Sequence, residues 1–223
     1  MHSGSVLHDA YQRLLAAYGP QHWWPGDSPF EIVVGAVLTQ NTAWKNVELA
    51  IENLRENALL EPRAMFALDV GELAELIRPS GYYRLKAQRL RNLLRVIVED
   101  FDGSLEEMLA QPLDELREQL LRVNGIGPET ADSILLYAAA KPTFVVDAYS
   151  ARVLKRHGWI EPEADYYAIK ECFEQQVPAD VGLYNEYHAL IVRVGKAHCG
   201  KKPNCEACPL HALLPESGPC DLA

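Results

Sequence analysis

Four of the five cysteines lie close together near the end of the chain, separated by five, two and eleven residues: Cys199, Cys205, Cys208 and Cys220. An odd number of cysteines, four of them in one short loop-rich tail, favours metal ligation in a reducing compartment over a disulfide framework. Four thiolates suit either an iron–sulfur cluster or a zinc ion. Cys172 lies in a predicted helix and is expected to be a core thiol.

Asp147 is a candidate catalytic carboxylate because of the two elements before it. Residues 119–132 predict a helix, a tight Gly-x-Gly turn and a second helix, and the apolar run 143–146 then places Asp147 at the start of another helix. The glycines permit positive φ and close approach, and the free amides of the second helix favour an anion such as phosphate. Each feature also has a simpler explanation, namely an ordinary turn between helices and an ordinary N-cap aspartate.

In combination, the hairpin, the apolar run and Val146–Asp147 at this spacing resemble the helix-hairpin-helix DNA glycosylases, in particular endonuclease III and its relatives. The similarity extends from Trp23 to Cys220. It implies that Asp147 stabilises the cationic sugar formed when the N-glycosidic bond of a flipped-out nucleotide breaks, and helps to activate water. The implied partner is double-stranded DNA with a damaged base, contacted by the hairpin residues Gly125, Ile126, Gly127 and Thr130.

The position of Glu129 bears on whether the DNA backbone is also cut. Bifunctional members of the family carry a lysine two residues after the second hairpin glycine, where this chain has Glu129. A glutamate cannot form the Schiff base that such a lysine makes with the sugar. Unless another lysine substitutes, we expect a monofunctional glycosylase without AP lyase activity.

The resemblance also assigns roles to a glutamine and to several aromatic residues. Leu38–Thr42 is similar to the family segment in which a glutamine, here Gln40, enters the duplex near the vacated base position. The residues expected to line the base pocket are Trp23, Trp24, Pro25 and Trp44. Electron-rich rings stack favourably on an electron-poor alkylated purine, although tryptophans could also fill the seam between two lobes.

These segments, together with Arg78–Tyr83, look most like the 3-methyladenine glycosylase branch, so the expected substrates are alkylated purines such as 3-methyladenine. One alternative is an endonuclease III-like glycosylase for oxidised or mismatched pyrimidines, with or without AP lyase activity. Another, from a different class, is a non-catalytic DNA-binding or redox-sensing iron–sulfur protein. The segment Arg78–Tyr83 is interpreted as a turn that presents Lys86 and Arg89 to the DNA backbone, or as a helix cap.

For the cysteines, the resemblance implies a [4Fe–4S] cluster as cofactor, with zinc as the alternative. The usual family spacing is six, two and five residues, so the first and last gaps differ here and Cys220 is the least secure ligand. Some relatives in the alkylation-repair branch lack the cluster. Lys201 and Lys202, inside the cysteine loop, are candidates for phosphate contacts.

The formal net charge of −10 argues against a nucleic-acid partner when taken alone. The basic residues are nevertheless concentrated in three stretches, 84–95, 152–156 and 193–202, although each could be the solvated face of a helix. The sequence has no apolar run of membrane-spanning length and no signal-peptide pattern. We therefore expect a cytoplasmic monomer that does not bind membranes, associated with the nucleoid in a bacterium or archaeon.

Apolar residues recur at spacings of three and four along nearly the whole chain, which predicts an all-α fold of about ten helices. The run 143–146 is predicted to be a buried extended connection, since no partner strand is evident. The family resemblance implies two helical lobes. One is a six-helix barrel with the helix-hairpin-helix, residues 29–141; the other combines residues 1–28 and 142–223 and carries the cluster loop 199–220.

Overall fold

The computed structural model describes residues 5–221, and the regular secondary structure in that range is helical, which confirms the predicted all-α class. The first four and last two residues of the predicted second lobe lie outside the described residues. The α-helices of the described chain are α1 (Val6–Tyr18), α2 (Pro29–Leu38), α3 (Trp44–Glu56), α4 (Pro62–Ala67), α5 (Val70–Leu76), α6 (Tyr83–Arg95), α7 (Leu105–Ala110), α8 (Leu113–Arg122), α9 (Pro128–Ser133), α10 (Ala148–Arg156), α11 (Tyr166–Gln176) and α12 (Val181–Ala197).

Two of these helices continue into π-helical turns, α6 into Val96–Asp100 and α9 into Ile134–Ala138. Short 3₁₀ turns form at Arg78–Ser80 and His211–Leu213. None of the described helices is long and apolar enough to cross a membrane.

The described chain divides into two compact units. The central unit runs from Trp24 to Lys141 and contains α2 to α9. The terminal unit consists of the described residues up to Trp23 and from Pro142 onward, and contains α1 and α10 to α12. The barrel of six helices for residues 29–141 stays a prediction.

Helix α2 lies at the core of the central unit. Ser28 caps it by accepting a hydrogen bond from the backbone N–H of Glu31, and Pro29 occupies its first turn, where no N–H is needed. Eight of its ten residues are buried, which is expected of a helix that is apolar on all sides. Its carboxyl end leads directly into Thr39 and Gln40.

Lys86 of α6 connects the end of α2 to the 3₁₀ turn. Its ammonium donates to the carbonyl oxygens of Leu38, at 2.8 Å, and Ser80, at 2.6 Å, and the side chain is buried. The prediction that Lys86 faces the DNA backbone is therefore wrong, because the apolar spacing of α6 turns this position toward the core. Burial and repulsion from Arg89 lower the pKa of Lys86 to about 8.

A buried ion pair joins the two helices of the hairpin. Arg117 of α8 donates twice to the carboxylate of Asp132 on α9, at 2.8 and 3.1 Å, and the Asp132 side chain is fully buried. Two parallel hydrogen bonds fix the orientation of a carboxylate better than one. The angle between α8 and α9, and with it the shape of the turn, is therefore held by a specific contact.

Aromatic residues form the centre of the terminal unit. Phe144 stacks on Phe173 of α11 with ring centroids 3.9 Å apart, and both contact Tyr187 of α12 edge to face. The hydroxyl of Tyr187 donates to the carbonyl oxygen of Leu7 at 2.8 Å, which ties α1 to α12. Residues 143–146 lie outside any helix or strand and are buried, so the prediction of a buried connection is confirmed.

Lys86→Met is expected to lower the free energy of unfolding by about 2–4 kcal/mol, because methionine fills the space but leaves two buried carbonyl groups without a donor. Urea unfolding followed by circular dichroism measures the change. Lys45→Met is the matched control on an exposed position of α3 and is expected to cost less than about 0.5 kcal/mol. If Lys86→Met had the same free energy of unfolding as the wild type, the two hydrogen bonds of Lys86 would contribute nothing to stability.

Candidate active site

Asp147 caps the N-terminus of α10. Its Oδ1 accepts hydrogen bonds from the backbone N–H of Ser150, at 2.7 Å, and from the Ser150 hydroxyl, at 3.0 Å. Its Oδ2 faces Nε2 of His188 on α12 at 3.7 Å. The side chain is 14% exposed. Asp147 is therefore the N-cap of α10, as the sequence predicts. Capping uses only one of its two carboxylate oxygens.

The surroundings of Asp147 keep its carboxylate charged. Burial alone would raise the pKa of Asp147, but the contacts with His188 and Ser150 outweigh that effect and lower the pKa below its usual value. The group is thus an anion at neutral pH, with a small exposed area. Such a carboxylate can stabilise a positive charge that develops beside it, or accept a proton from water.

No strand of the described chain lies beside the buried segment before Asp147, so its peptide groups need other partners. An ion pair on α11 supplies those of Phe144. Glu174 accepts from the backbone N–H of Phe144 at 2.8 Å, and Lys170 donates to the Thr143 hydroxyl and to the Phe144 carbonyl oxygen, the latter at 3.3 Å. Lys170 and Glu174 also pair with each other at 2.7 Å. The sequence interpretation missed these two residues, although their spacing of four on a helix was a usable signal.

The two hairpin glycines differ in conformation. Gly125 has a φ of +97°, and a Cβ there would lie 2.3 Å from Cγ of Arg89. Gly127 has a φ of −93° with extended ψ, so the expectation of positive φ holds at Gly125 and is wrong at Gly127. A Cβ on Gly127 would meet no atom within 4 Å. Ile126 between them is buried in the core of the central unit. The fold therefore requires glycine at 125 but not at 127.

Gln40 is bound to the hairpin. Its amide nitrogen donates to the Thr130 hydroxyl at 2.9 Å and to the Gly125 carbonyl oxygen at 3.3 Å, and its amide oxygen accepts from Arg89. Thr130 is buried. The structure thus brings together Gln40, Gly125 and Thr130, three predicted DNA-binding residues. Entry of Gln40 into a duplex would first break these hydrogen bonds.

Two of the predicted pocket aromatics are in direct contact. Trp24 meets Trp44 edge to face, with ring centroids 5.2 Å apart and planes at 90°, and packs over Gly35 of α2. A base held between two parallel rings needs about 7 Å between them, so no slot separates this pair. Tyr137 also contacts Trp24, with centroids 5.1 Å apart, and the sequence interpretation did not single it out.

The other two predicted pocket residues are placed differently. Trp23 belongs to the terminal unit, whereas Trp24 begins the central unit. Pro25 is exposed in the irregular segment before α2.

Tyr82 is a further candidate that the sequence interpretation passed over. It is 71% exposed and precedes α6 in a left-handed conformation, with φ 46° and ψ 28°. That conformation costs a non-glycine residue about 1–2 kcal/mol. Leu85, one turn on, is half exposed. A large aromatic side chain held outward on a strained turn is typical of a binding surface.

The four predicted metal ligands lie near the carboxyl end of α10. Cys199, Cys205 and Cys208 line one small cavity with Arg156. The Arg156 guanidinium donates to Sγ of Cys199 at 3.3 Å and to two carbonyl oxygens of the same loop. The backbone N–H of Cys220 donates to the Arg156 carbonyl oxygen at 2.8 Å, and its thiol lies beside Gly158.

Within residues 5–221, no group of three or more histidine, cysteine or acidic side chains is arranged to hold a single metal ion. A zinc ion needs its thiolates at about 2.3 Å from one point. A [4Fe–4S] cluster takes one thiolate at each iron, so its ligands surround a larger group. Burial raises the pKa of the Cys205 and Cys208 thiols, and the neighbouring Cys199 raises both further. Lys201 and Lys202 of the same loop are exposed.

The model of the HhH-GPD superfamily of base excision DNA repair proteins matches residues 34–179 of the chain. The chain belongs to this family. A protein of Methanocaldococcus jannaschii with the provisional name of DNA repair glycosylase is 51% identical over 207 residues, which are 92% of this chain and 94% of that protein. Endonuclease III of Thermotoga maritima is 31% identical over 184 residues, or 81% and 79% of the two chains. The predicted family is confirmed.

Solved structures agree with this assignment. The H. pylori 3-methyladenine DNA glycosylase bound to 1,N6-ethenoadenine is 35% identical, with a TM-score of 0.76, and the match covers 86% of this chain and 97% of that one. A non-covalent endonuclease III–DNA complex is 24% identical, with a TM-score of 0.80 and 94% of each chain covered. The second likeness shows a shared fold.

The contrast between the hairpin glycines can be tested directly. Gly127→Ala is expected to change the free energy of unfolding by less than about 1 kcal/mol, yet to weaken binding to duplex DNA severalfold if a phosphate approaches this open flank. Gly125→Ala is expected to cost about 2 kcal/mol or more, because of its φ and the contact with Arg89. Urea unfolding and fluorescence anisotropy with a labelled duplex measure both. Unchanged DNA affinity of Gly127→Ala would place the DNA elsewhere.

Proposed function

We propose that this DNA repair glycosylase hydrolyses the N-glycosidic bond of alkylated purines, such as 3-methyladenine, in double-stranded DNA and leaves the backbone intact. The observation that carries the proposal is the Asp147 carboxylate, which is charged, partly exposed and held rigidly at the start of α10. The 35% identity to a 3-methyladenine glycosylase supports the choice of substrate.

The chemistry of alkylated purines suits a site with one such carboxylate. A purine alkylated at N3 or N7 carries a positive charge and leaves as a neutral base when it takes the electron pair of the glycosidic bond. No general acid is needed for that departure. The positive charge moves to the sugar, where Asp147 would stabilise it and accept a proton from the attacking water.

The aromatic residues of the central unit support recognition of a cationic base. The Trp24, Trp44 and Tyr137 rings form one connected group, and an electron-deficient purine gains more from such rings than a normal base does. Because Trp24 and Trp44 already touch, we propose that the base stacks on an outer face of this group rather than between the two indoles.

Several other residues are proposed to contact the DNA. The backbone at Gly127 offers an unobstructed approach for a phosphate, and Lys201 and Lys202 are exposed for further phosphate contacts. Tyr82 is proposed to wedge into the base stack, as large apolar side chains do where a duplex is bent or a base is extruded. Gln40 would then fill the gap, after leaving its partners on the hairpin.

Absence of strand cleavage is proposed from Glu129, which stands exposed on the first turn of α9, at the position of the family's lyase lysine. A carboxylate cannot form an imine with the sugar. Lys86, the one lysine of the described chain buried in the core, is engaged with two carbonyl groups and does not offer a replacement.

A [4Fe–4S] cluster is proposed as the cofactor, held by Cys199, Cys205, Cys208 and Cys220. The fit rests on the cavity that three of the thiols line and on the N–H that Arg156 donates to the Cys199 sulfur. The Cys220 thiol lies beside Gly158. Bound there, the cluster would cross-link the loop to the end of α10. Reduced thiolates of this kind are compatible with the proposed location in the cytoplasm.

A second candidate substrate class is oxidised or mismatched pyrimidines. The identity to Thermotoga maritima endonuclease III favours it. Pyrimidine lesions are neutral, so stacking on the aromatic group would stabilise them less. A neutral base is also a poorer leaving group than a cationic purine. Substrate competition therefore distinguishes the two classes.

Wild-type protein is expected to release alkylated bases from methylated duplex DNA and to yield strand breaks only after hot alkali. Asp147→Asn should abolish release while keeping the fold and DNA affinity, because asparagine also caps helices. Asp165→Asn, the same change at the N-cap of α11, is the matched control and should release bases normally. Breaks without alkali would reveal a lyase nucleophile, and release only from oxidised or mismatched duplexes would favour the second candidate. Binding without release would favour a non-catalytic protein.

Anaerobically purified protein is expected to be brown, with broad visible absorption and four irons per chain. Cys199→Ser and Cys220→Ser should each lose that absorption, whereas Cys172→Ser on α11 should keep it. Colourless protein with stoichiometric zinc would replace the cluster by a zinc site. Retention of all four irons in Cys220→Ser would show that Cys220 is not the fourth ligand.

A further inference from the structure

We infer that His188 is a positioning residue for base excision: its imidazole holds the free oxygen of the Asp147 carboxylate in place and keeps that carboxylate charged. This inference rests on the proposed role of Asp147. It concerns a residue outside the hairpin and aromatic segments from which the sequence interpretation drew its candidates.

The two carboxylate oxygens have different partners. Oδ1 accepts two hydrogen bonds from Ser150 of its own helix, and these fix the helix start. Oδ2 faces His188 Nε2 at 3.7 Å, which is slightly longer than a direct hydrogen bond. Catalytic contacts are often this long without substrate and shorten when it binds. His188 is thus placed to act on the oxygen that capping leaves available for chemistry.

The packing of α10 against α12 sets this distance. At Gly195 a Cβ would lie 2.5 Å from the Tyr149 ring, so only glycine permits the observed approach of the two helices. His188 lies seven residues earlier on α12, two helical turns away on the same face. Gly195 and Tyr149 therefore set how closely the start of α10 approaches α12, and Asp147 at the same helix start faces His188.

Other charged side chains near Asp147 contact groups other than its carboxylate. Arg152 of α10 lies over the Tyr149 ring, with its guanidinium carbon 5.1 Å from the centroid. Lys170 and Glu174 of α11 bind the peptide groups around Phe144. Among the described residues, His188 is the titratable side chain that forms an ion-pair contact with Asp147.

Loss of His188 should therefore change the acid dependence of excision. Burial raises the pKa of Asp147, and His188 and Ser150 together reverse that effect. In the wild type the carboxylate stays charged well below neutral pH, so excision should vary little with Asp147 ionisation above about pH 5. Without His188 the pKa of Asp147 rises, and activity should fall as the pH drops through the higher value.

The test is single-turnover excision from methylated duplex DNA, measured from about pH 5 to pH 8, for wild type, His188→Leu and His188→Gln. His188→Leu is expected to be slower by about tenfold or more at the acid end, with the acid limb moved to higher pH and the affinity for DNA unchanged. His188→Gln, whose amide nitrogen reaches the position of Nε2, should recover much of the rate. His8→Leu on α1 is the matched control and should keep the wild-type profile.

A direct titration makes the result independent of turnover. The carboxyl ¹³C signal of Asp147 should titrate at higher pH in His188→Leu than in wild type. An unchanged Asp147 titration, or an unchanged excision profile in an active His188→Leu enzyme, would overturn the inference while leaving the proposed function intact. A wild-type protein that releases no base from any substrate would instead overturn the proposed function, and with it the role of His188 in excision. Should His188→Leu not fold, His188→Gln carries the same comparison, with the smaller shift expected of a neutral donor.

Discussion

The position of Asp147 depends on how the buried peptide units of residues 143–146 are satisfied, since no strand lies beside them in the part of the chain that the structure describes. Unpaired backbone groups at this depth would cost about 1–3 kcal/mol each. The Lys170–Glu174 pair on α11 supplies a donor and an acceptor to Phe144, and the Phe144 ring stacks on Phe173 of the same helix. One helix therefore fixes both the backbone and the side chain of Phe144, three residues before Asp147.

Helix α10 connects Asp147 to the cysteine loop. Asp147 caps its start, and at its other end Arg156 binds the Cys199 sulfur, the Gly200 carbonyl oxygen and, through its own carbonyl, the N–H of Cys220. A helix of nine residues is rigid over its length of about 14 Å. A cluster that tightens the loop would therefore also restrain the helix that presents the carboxylate, although it takes no part in bond cleavage. The structural role proposed for the cluster follows from this connection.

Features that depend on neighbours in the sequence were predictable, and those that depend on distant residues were not. The buried run, the N-cap at Asp147 and the positive φ at Gly125 follow from apolar spacing and residue type within a few positions. The burial of Lys86 against Leu38, the hydrogen bonds of Gln40 to the hairpin and the contact of Tyr137 with Trp24 each join residues far apart in the chain. The position of Lys86 in a basic stretch assigned it to the DNA, which is wrong, whereas the family resemblance assigned Gln40 and could not show that its amide is bound to the hairpin.

The net charge of −10 is compatible with a DNA partner because, apart from those of Lys201 and Lys202, the proposed contacts use no cation of the protein. Backbone N–H groups at the hairpin need only a close approach, which the open flank of Gly127 provides. Tyr82 and the Trp24 group would contribute stacking, which is insensitive to net charge. Fewer cationic contacts mean weaker non-specific binding and a smaller dependence on salt. Discrimination would then rest on the extruded base itself, because a positive purine gains more from stacking on electron-rich rings than a normal base does.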